Sequence, residues 1–500
     1  MTAELPPEAS YVSPFVTRWA SRAMLENWSD LRKFRTWRRL WIALAEGERE
    51  LGLGISDEQI AELRRHADDV NFDVAAARER QIRHDVMAHV YAYGEQCPRA
   101  RPIIHLGATS AYVADNTDLI LMRDALRLLE SPLSSACRNL SDFARRNRGL
   151  PCLAYTHFQP AQLTTVGKRA CLWLQDLLGP LEAIAAQADE MPFLGVKGAT
   201  GTQASFLTLF DGDHEKVKAL DRFVADKMGF ARLLPVTGQT YPRALDYKVL
   251  STLGLAAVAC HKMAGDIRLL AGLKELEEPF GEQQVGSSAM AYKRNPVRCE
   301  RMASLSRFLL NTVQNACFTA ADQWLERTLD DSAVRRLALP ESFLAADTIA
   351  HLAANITGGL VVNSRVIQRR VHAELPFMAT EDILMAAVKA GGDRQELHER
   401  IRRHSMAAAE RVKNGDGEND LLARIRQDDA FAAVRGRLDA LTDPAAFVGR
   451  APEQVDEFLR DLAEPALARL AARQPSAAAR QPSAAAGQPS GAADIGEPRV

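Results

Sequence analysis

Residues Leu119–Phe143 read LILMRDALRLLESPLSSACRNLSDF. Within them Leu119, Met122, Leu126, Leu129, Leu133, Ala136, Leu140 and Phe143 fall alternately three and four apart. Apolar side chains at that spacing make one stripe along a helix, the stripe that long helices bury when they pack side by side. The pattern predicts a long bundle helix, with a kink or break at Pro132, which lacks an N–H and crowds the preceding turn. A second long helix is expected to begin at Asn295-Pro296, because asparagine suits the N-cap and proline the first helical position. Behind it Met302, Leu305, Leu309, Val313 and Ala316 share a face. Alternating strand patterns are scarce and no strand–helix–strand unit is visible, so the expected fold class is all-α.

The 500 residues suffice for about three domains of roughly 150 residues each. The expected division is an N-terminal helical domain over 1–109, a central long-helix bundle over 110–363, and a C-terminal helical domain over 364–472. The first boundary precedes the heptad helix at Thr109-Ser110, and the second follows the Gly358-Gly359 break. Residues 473–500 contain QPSAAARQPSAAAGQPSGAA, a low-complexity repeat with little to bury. A disordered tail with no catalytic role is expected there.

Charge narrows the function. Lysine and arginine number 62 against 64 acidic residues, a net charge of −2, so no global positive field attracts nucleic acid or a membrane surface. An anionic ligand would need locally clustered arginines. The basic run Arg32–Arg39 is expected to spread around a solvated helix face. Seven cysteines, none closer than fifteen residues to the next, exclude a CxxC motif and fit buried thiols in a reducing cytoplasm. The start, MTAELPPEASYVSP, lacks a basic stretch followed by an apolar run, so no signal peptide is expected. No apolar stretch reaches the roughly 18 residues of a membrane span; Val249–Cys260 and Ile349–Val362 suit buried helices.

Three segments bear on chemistry. Gly286-Ser287-Ser288-Ala289-Met290-Ala291-Tyr292-Lys293-Arg294-Asn295-Pro296 combines small hydroxyl residues, a lysine and a helix start. Lysine and helix N-terminus both favour negative charge nearby, which a serine needs in order to act as an alkoxide base. On residues alone, a flexible linker and an active loop both stay open. In Thr156-His157-Phe158-Gln159-Pro160-Ala161-Gln162 the histidine is the side chain best suited to deliver a proton near neutrality, although lone histidines are more often structural. Arg83-His84-Asp85-Val86-Met87-Ala88-His89 places two histidines five apart, a poorer fit to one helix face than an i,i+4 pair, so no metal site is expected. Lys197-Gly198-Ala199-Thr200-Gly201-Thr202-Gln203 lacks the ending of a P-loop and a preceding strand.

The Gly286–Pro296 stretch resembles the GSSxMPxKxNP signature of the fumarase/aspartase superfamily, with Ala291 where proline is usual. That change loosens the loop backbone. Thr156–Gln162 resembles the THxQxAQ region of the same superfamily. RHDVMAH (83–89) is similar to the corresponding stretch of adenylosuccinate lyases. So are KFRTWRRLW (33–41), IHLGATS (104–110), WLERTLDDSAVRR (324–336), ELPFMAT (374–380) and AGGDRQELHERIR (390–402). Lys197–Gln203 looks like a further substrate-pocket segment. The likeness runs over roughly residues 10 to 470 and is nearest to the longer enzymes that animals share with some bacteria.

The resemblance implies a three-domain helical fold and a β-elimination that releases fumarate from adenylosuccinate, giving AMP, and from the succinylated aminoimidazole carboxamide ribotide (SAICAR), giving the free carboxamide (AICAR). It makes Ser287 the base, with Ser288 as rival, and His157 the acid. Lys293 stabilises the developing carboxylate charge, and His84 supports the acid or binds phosphate. Substrate contacts fall on Arg18, Arg83, Asp85, Thr109, Ser110, Gln239, Arg301, Arg327, Ser332 and Arg336. They fall also on Trp19, where many relatives have tyrosine and the hydroxyl is lost. A homotetramer with shared sites is implied, with no metal or organic cofactor. The rival readings are another fumarate-releasing lyase, such as argininosuccinate lyase, and a non-catalytic protein on the same scaffold. The RHD and TLDDS segments weigh against the first, and retention of His157, Ser287 and Lys293 against the second.

Overall fold

The computed structural model describes residues 9–473. The repetitive tail lies outside them apart from Arg473. Helices dominate. Before the bundle come α1 (Asp30–Glu50), α2 (Phe72–Ile82) and α3 (Asp85–Gln96). The bundle is made of α4 (Ser110–Arg146), α5 (Val166–Glu190), α6 (Ala244–Gly272), α7 (Val297–Ala321) and α8 (Asp331–Gly358). These five form a closed ring of neighbours, α4 on α5, α5 on α6, α6 on α7, α7 on α8, and α8 back on α4. Every residue of the Leu119–Phe143 stripe is buried in the middle, as are Met302, Leu305, Leu309, Val313 and Ala316 of α7.

Of the kink or break expected at Pro132, the break does not occur, and the expected start of the second long helix needs correcting. α4 runs unbroken for 37 residues with Pro132 inside it. Proline in a helix interior costs about 3 kcal/mol, and the buried stripe on either side outweighs that. α7 starts at Val297, with Pro296 in the N-cap position and no side-chain cap of its own. Its free N–H groups are taken by a distant carboxylate: Glu278 accepts from the Arg298 N–H at 3.0 Å and the Cys299 N–H at 2.8 Å. Asn295 instead donates to the Gly286 carbonyl at 2.8 Å.

The basic run on α1 also differs from expectation. Arg38 is 2% exposed, donates to Asp69 O at 2.6 Å and Gln96 Oε1 at 2.7 Å, and lies over the Tyr93 ring. Three directed bonds, the third to His66 O, satisfy a buried guanidinium and pin the 66–69 turn to the core.

Two small antiparallel ribbons interrupt the helices. One pairs β1 (Pro151–Thr156) with β2 (Gln159–Thr165); the other pairs β3 (Leu276–Glu277) with β4 (Val361–Val362). α9 (Ser364–Met378) follows and lies against the first ribbon. Beyond it a separate apolar cluster gathers Ile383, Leu397, Ile401, Leu421, Ile425 and Phe431. Residues 451–473 then return to the bundle, where Arg469 meets Glu182 at 2.9 Å. No helix among the described residues is long and apolar enough to cross a membrane. Six of the seven cysteines are buried, Cys317 is partly exposed, and all are free.

One buried group predicts a pH dependence. Glu48 on α1 is fully buried near Tyr112, and neither carboxyl oxygen has a hydrogen-bond partner among the described residues. Burial pushes its pKa from 4.5 up to about 9. A carboxyl raised on folding contributes stability that is full below about pH 4.5 and lost as pH rises through about 9. Glu48→Gln, which keeps the shape and cannot ionise, is expected to unfold at higher temperature than wild type at pH 8. The gap should reach a few kcal/mol and close towards about pH 5. Thermal melts of both proteins across this range check it; a gap independent of pH would contradict it.

Candidate active site

A cleft of about 260 Å³ lies where α3 and α8 begin and is lined by Lys33, Trp37, Asp85, Arg327, Ser332 and Arg336 among others. Arg83 closes α2 in the left-handed conformation (φ 53°), which turns the chain directly into α3. His84 is the N-cap of α3: its Nδ1 accepts the Met87 N–H at 3.3 Å. With Nδ1 accepting, the neutral ring carries its proton on Nε2, which faces Ser110 Oγ at 3.4 Å. Thr109 is the N-cap residue of α4, so α3 and α4 present their first turns to the same place. Asp85 pairs with Arg336 at 3.0 Å. Burial acts to raise the Asp85 carboxyl, but the Val86 N–H and the Arg336 guanidinium outweigh it and hold it below the ordinary carboxylate range.

Beneath the cleft lies a buried ionic network that sequence reading missed. Arg243 bonds Asp115 at 2.8 Å and Asp331 at 2.5 Å; Arg327 bonds the other oxygen of Asp331 at 2.8 Å. Arg335 bonds Asp246 at 2.7 Å and Asp118 at 2.8 Å. The network fixes the start of α8, and with it Arg327, Ser332 and Arg336. Asp115 and Asp118 sit in the first turns of the heptad helix at polar positions. That was the available signal, although nothing in sequence spacing pairs them with Arg243 or Arg335.

Gln239 reaches this region through its backbone, whose N–H donates to Glu326 O at 3.0 Å, while its side chain donates to Ala199 O at 3.0 Å. Gly238 has no room for a Cβ, which would stand 2.5 Å from Glu326 O. The 197–203 segment therefore packs beside the site. Its lysine does not face it: Lys197 is buried on Asp221 at 2.5 Å.

Arg18 and Trp19 end a short π-turn (Phe15–Trp19). The Arg301 guanidinium lies 6.0 Å from the Trp19 ring centroid. Burial, and then the charge of Arg18, lower the Arg301 pKa. Two guanidiniums whose charges act on each other favour an anion nearby. The Trp19 Nε1 is buried and finds no hydrogen-bond partner among the described residues.

His157 stands at the tip of the β1–β2 hairpin. His157 and Phe158 form its two-residue turn with φ of 53° and 58°, as a type I′ turn requires. Neither is glycine, so the turn is held against its own preference, a feature that gathers at functional sites. His157 is exposed and makes no hydrogen bond or ion pair among the described residues.

The serine loop closes on itself. Ser287 Oγ accepts N–H groups from Met290 at 3.1 Å and Ala289 at 3.4 Å. Such donors favour a charged oxygen. A Cβ on Gly286 would meet Lys293 O at 2.1 Å, so only glycine lets the two ends of the loop touch. Ser287 is partly buried and Lys293 is exposed. The chain thus gathers His84, Asp85, Ser110, Arg327, Ser332 and Arg336 in one place. Arg18, Trp19 and Arg301 form a second group. His157 and the Ser287–Lys293 loop stand apart, with no bond to the cleft among the described residues.

The helical ring is that of a superfamily of lyases. The fold matches 3-carboxy-cis,cis-muconate lactonizing enzyme from Pseudomonas putida (TM-score 0.79, 23% identity, 91% of this chain and 99% of that one). It also matches a fumarate lyase from Mesorhizobium sp. BNC1 (TM-score 0.75, 22% identity, 90% and 100%). The family described as Lyase matches residues 27–308, and the one described as adenylosuccinate lyase C-terminus matches 376–458. Adenylosuccinate lyase from Saccharomyces cerevisiae is 52% identical over 91% of this chain and 95% of its own length. The enzyme from Schistosoma mansoni is 48% identical over 91% and 96%. The chain belongs to the adenylosuccinate lyase family of the fumarase/aspartase superfamily and is an enzyme, a carbon–nitrogen lyase.

Proposed function

We propose that the protein eliminates fumarate from adenylosuccinate to give AMP, and from SAICAR to give AICAR, in purine nucleotide biosynthesis. The observation that carries this reading is the 52% identity, across nearly the whole chain, to a curated adenylosuccinate lyase. Ser287, as alkoxide, takes the proton from the succinyl carbon next to a carboxylate. Charge builds on that carboxylate, and Lys293 stabilises it. The C–N bonding pair moves to nitrogen, the C–C double bond of fumarate forms, and His157 gives its proton to the leaving nitrogen. Each positioned proton-transfer group contributes about 10²- to 10⁴-fold. The two N–H donors on Ser287 Oγ support Ser287 rather than Ser288 as base.

His84, with its Nε2 proton towards Ser110, orients the phosphate or the acid. Arg18, Arg83, Asp85, Thr109, Ser110, Gln239, Arg301, Arg327, Ser332 and Arg336 hold phosphate, ribose and carboxylates, with Trp19 offering an aromatic face. The reaction as written needs proton transfers and fixed cations, so no metal or organic cofactor takes part. A homotetramer with shared sites is supported by the exposure of His157 and Lys293, which have no bond to the cleft among the described residues. Leu255, Val258 and Leu269, an exposed apolar stripe on α6, point the same way. The division at 1–109, 110–363 and 364–472 and a cytoplasmic location complete the reading; free, mostly buried thiols fit a reducing compartment.

The test is an absorbance assay of the purified protein with adenylosuccinate, with AMP and fumarate identified by mass and no metal added. Both products are expected. A folded tetramer that releases neither would refute the reading.

A further inference from the structure

The run Glu275-Leu276-Glu277-Glu278 places three carboxylates in four residues, a composition that reads as a solvated turn. Yet Glu275 and Glu278 are 1% and 5% exposed. Glu275 Oε1 accepts from the Tyr155 hydroxyl at 3.1 Å and from Arg370 Nε at 2.8 Å. Arg370 also donates to the Tyr155 oxygen at 3.3 Å, closing a triangle. Tyr155 stands on β1 two residues before His157. Arg169 donates to the Leu153 carbonyl of the same strand at 2.5 Å and brings its second nitrogen 4.0 Å from Glu275 Oε2. That oxygen is buried without a hydrogen-bond partner among the described residues. Glu275 and Arg169 both line a cavity of about 10 Å³, room for about one water.

The same short strap reaches the serine loop. Glu277 accepts from Asn363 Nδ2 at 3.2 Å and faces Arg294 at 3.5 Å. Glu278 caps α7, the helix that ends the loop. The Asn363 N–H donates to the Glu275 carbonyl at 3.0 Å. Both ends of the 279–296 loop are therefore tied to residues adjoining Glu275.

A two-stranded hairpin is marginal by itself, and this one bears a turn of two non-glycine residues at positive φ. It needs an outside anchor to aim its tip. We propose that Glu275 is a positioning residue. Through Tyr155 and Arg370 it aims the hairpin that carries His157, and through the strap it joins that hairpin to the base of the Ser287 loop of the same chain. The proposal rests on the proton-transfer roles given above to His157 and Ser287.

The experiment measures kcat and KM with adenylosuccinate for the full-length enzyme and for Tyr155→Phe, Glu275→Gln, Arg370→Ala and Arg370→Lys, with His157→Asn alongside. Circular dichroism melts and particle size are recorded for each. A misaimed proton donor lowers kcat by about 10- to 100-fold in Tyr155→Phe and Arg370→Ala. KM should stay within about twofold, since substrate binding is untouched. Arg370→Lys restores a cation beside Glu275 and should recover part of the loss. Tyr155→Phe removes one oxygen from a partly exposed ring, so it stays folded even if Glu275→Gln does not. An active wild type and an inactive His157→Asn, beside a Tyr155→Phe with kcat within about twofold of wild type, overturn the positioning role alone. So does a loss of rate that merely follows loss of folded protein. If His157→Asn keeps its turnover, the acid assignment fails and this proposal falls with it.

Discussion

His157→Asn is expected to lower kcat by about 10²- to 10⁴-fold, the range of one positioned proton donor, with little change in the unfolding midpoint. Asparagine is the informative replacement. His157 occupies a left-handed turn position at φ 53°, which asparagine tolerates and alanine does not. His157→Ala would mix loss of the acid with strain in the turn. His157 is exposed and makes no hydrogen bond or ion pair among the described residues, so its removal leaves no buried partner stranded. Steady-state rates and a thermal melt on the same preparation check both halves. A rate within about threefold of wild type would remove His157 from the acid role. A large fall in the midpoint would mean that the side chain holds the hairpin rather than serves the reaction.

What the sequence discloses follows from what local spacing can encode. The Leu119–Phe143 stripe is a property of consecutive residues, and it predicts the bundle helix because burial of one face is a local demand repeated every turn. Pro132 does not break the helix because its cost is local while the compensation comes from burial against α5 and α8. Arg38 misleads: within a basic run it looks solvated, and only the 66–69 turn and Gln96, distant in sequence, make it a core residue.

The same division holds at the site. His84, Asp85, Ser110, Arg327, Ser332 and Arg336 are named through motifs, and the structure brings them to one cleft. The supporting pairs are not named: Arg243 and Asp115 under the cleft are 128 apart, and Glu275 and Tyr155 at the base of the His157 hairpin are 120 apart. Each pairing is one contact between long-range neighbours and leaves no period in the sequence. Asn295 shows a finer failure. Its type and position suit an N-cap, but Glu278 already occupies the helix end, and the asparagine clamps the serine loop instead.

Arg243→Met should have the largest effect on stability. The Arg243 side chain is 1% exposed and stands between Asp115 and Asp331, whose side chains are 5% and 0% exposed. Burial acts to lower its pKa, but Asp115 outweighs it and holds the guanidinium above its ordinary value. Replacing it with an apolar chain of similar length leaves two carboxylates facing each other in the core. Removing one member of a buried ionic group costs about 3–5 kcal/mol, which urea unfolding followed by circular dichroism would register as a lower midpoint. Asp331 keeps Arg327 at 2.8 Å, and Asp115 keeps the Tyr241 N–H at 3.1 Å, so the loss should fall short of complete unfolding. The surviving pull of Asp331 on Arg327 alone should displace the start of α8, and KM should rise because Arg327, Ser332 and Arg336 move together. Adding Asp115→Asn to Arg243→Met removes one stranded charge and should return part of the stability, a coupling that a double-mutant cycle measures directly. Additive effects of the two substitutions would show that the network does not act as a unit. An unchanged midpoint in Arg243→Met would mean that bundle packing alone, and not the buried ions, fixes the floor of the cleft.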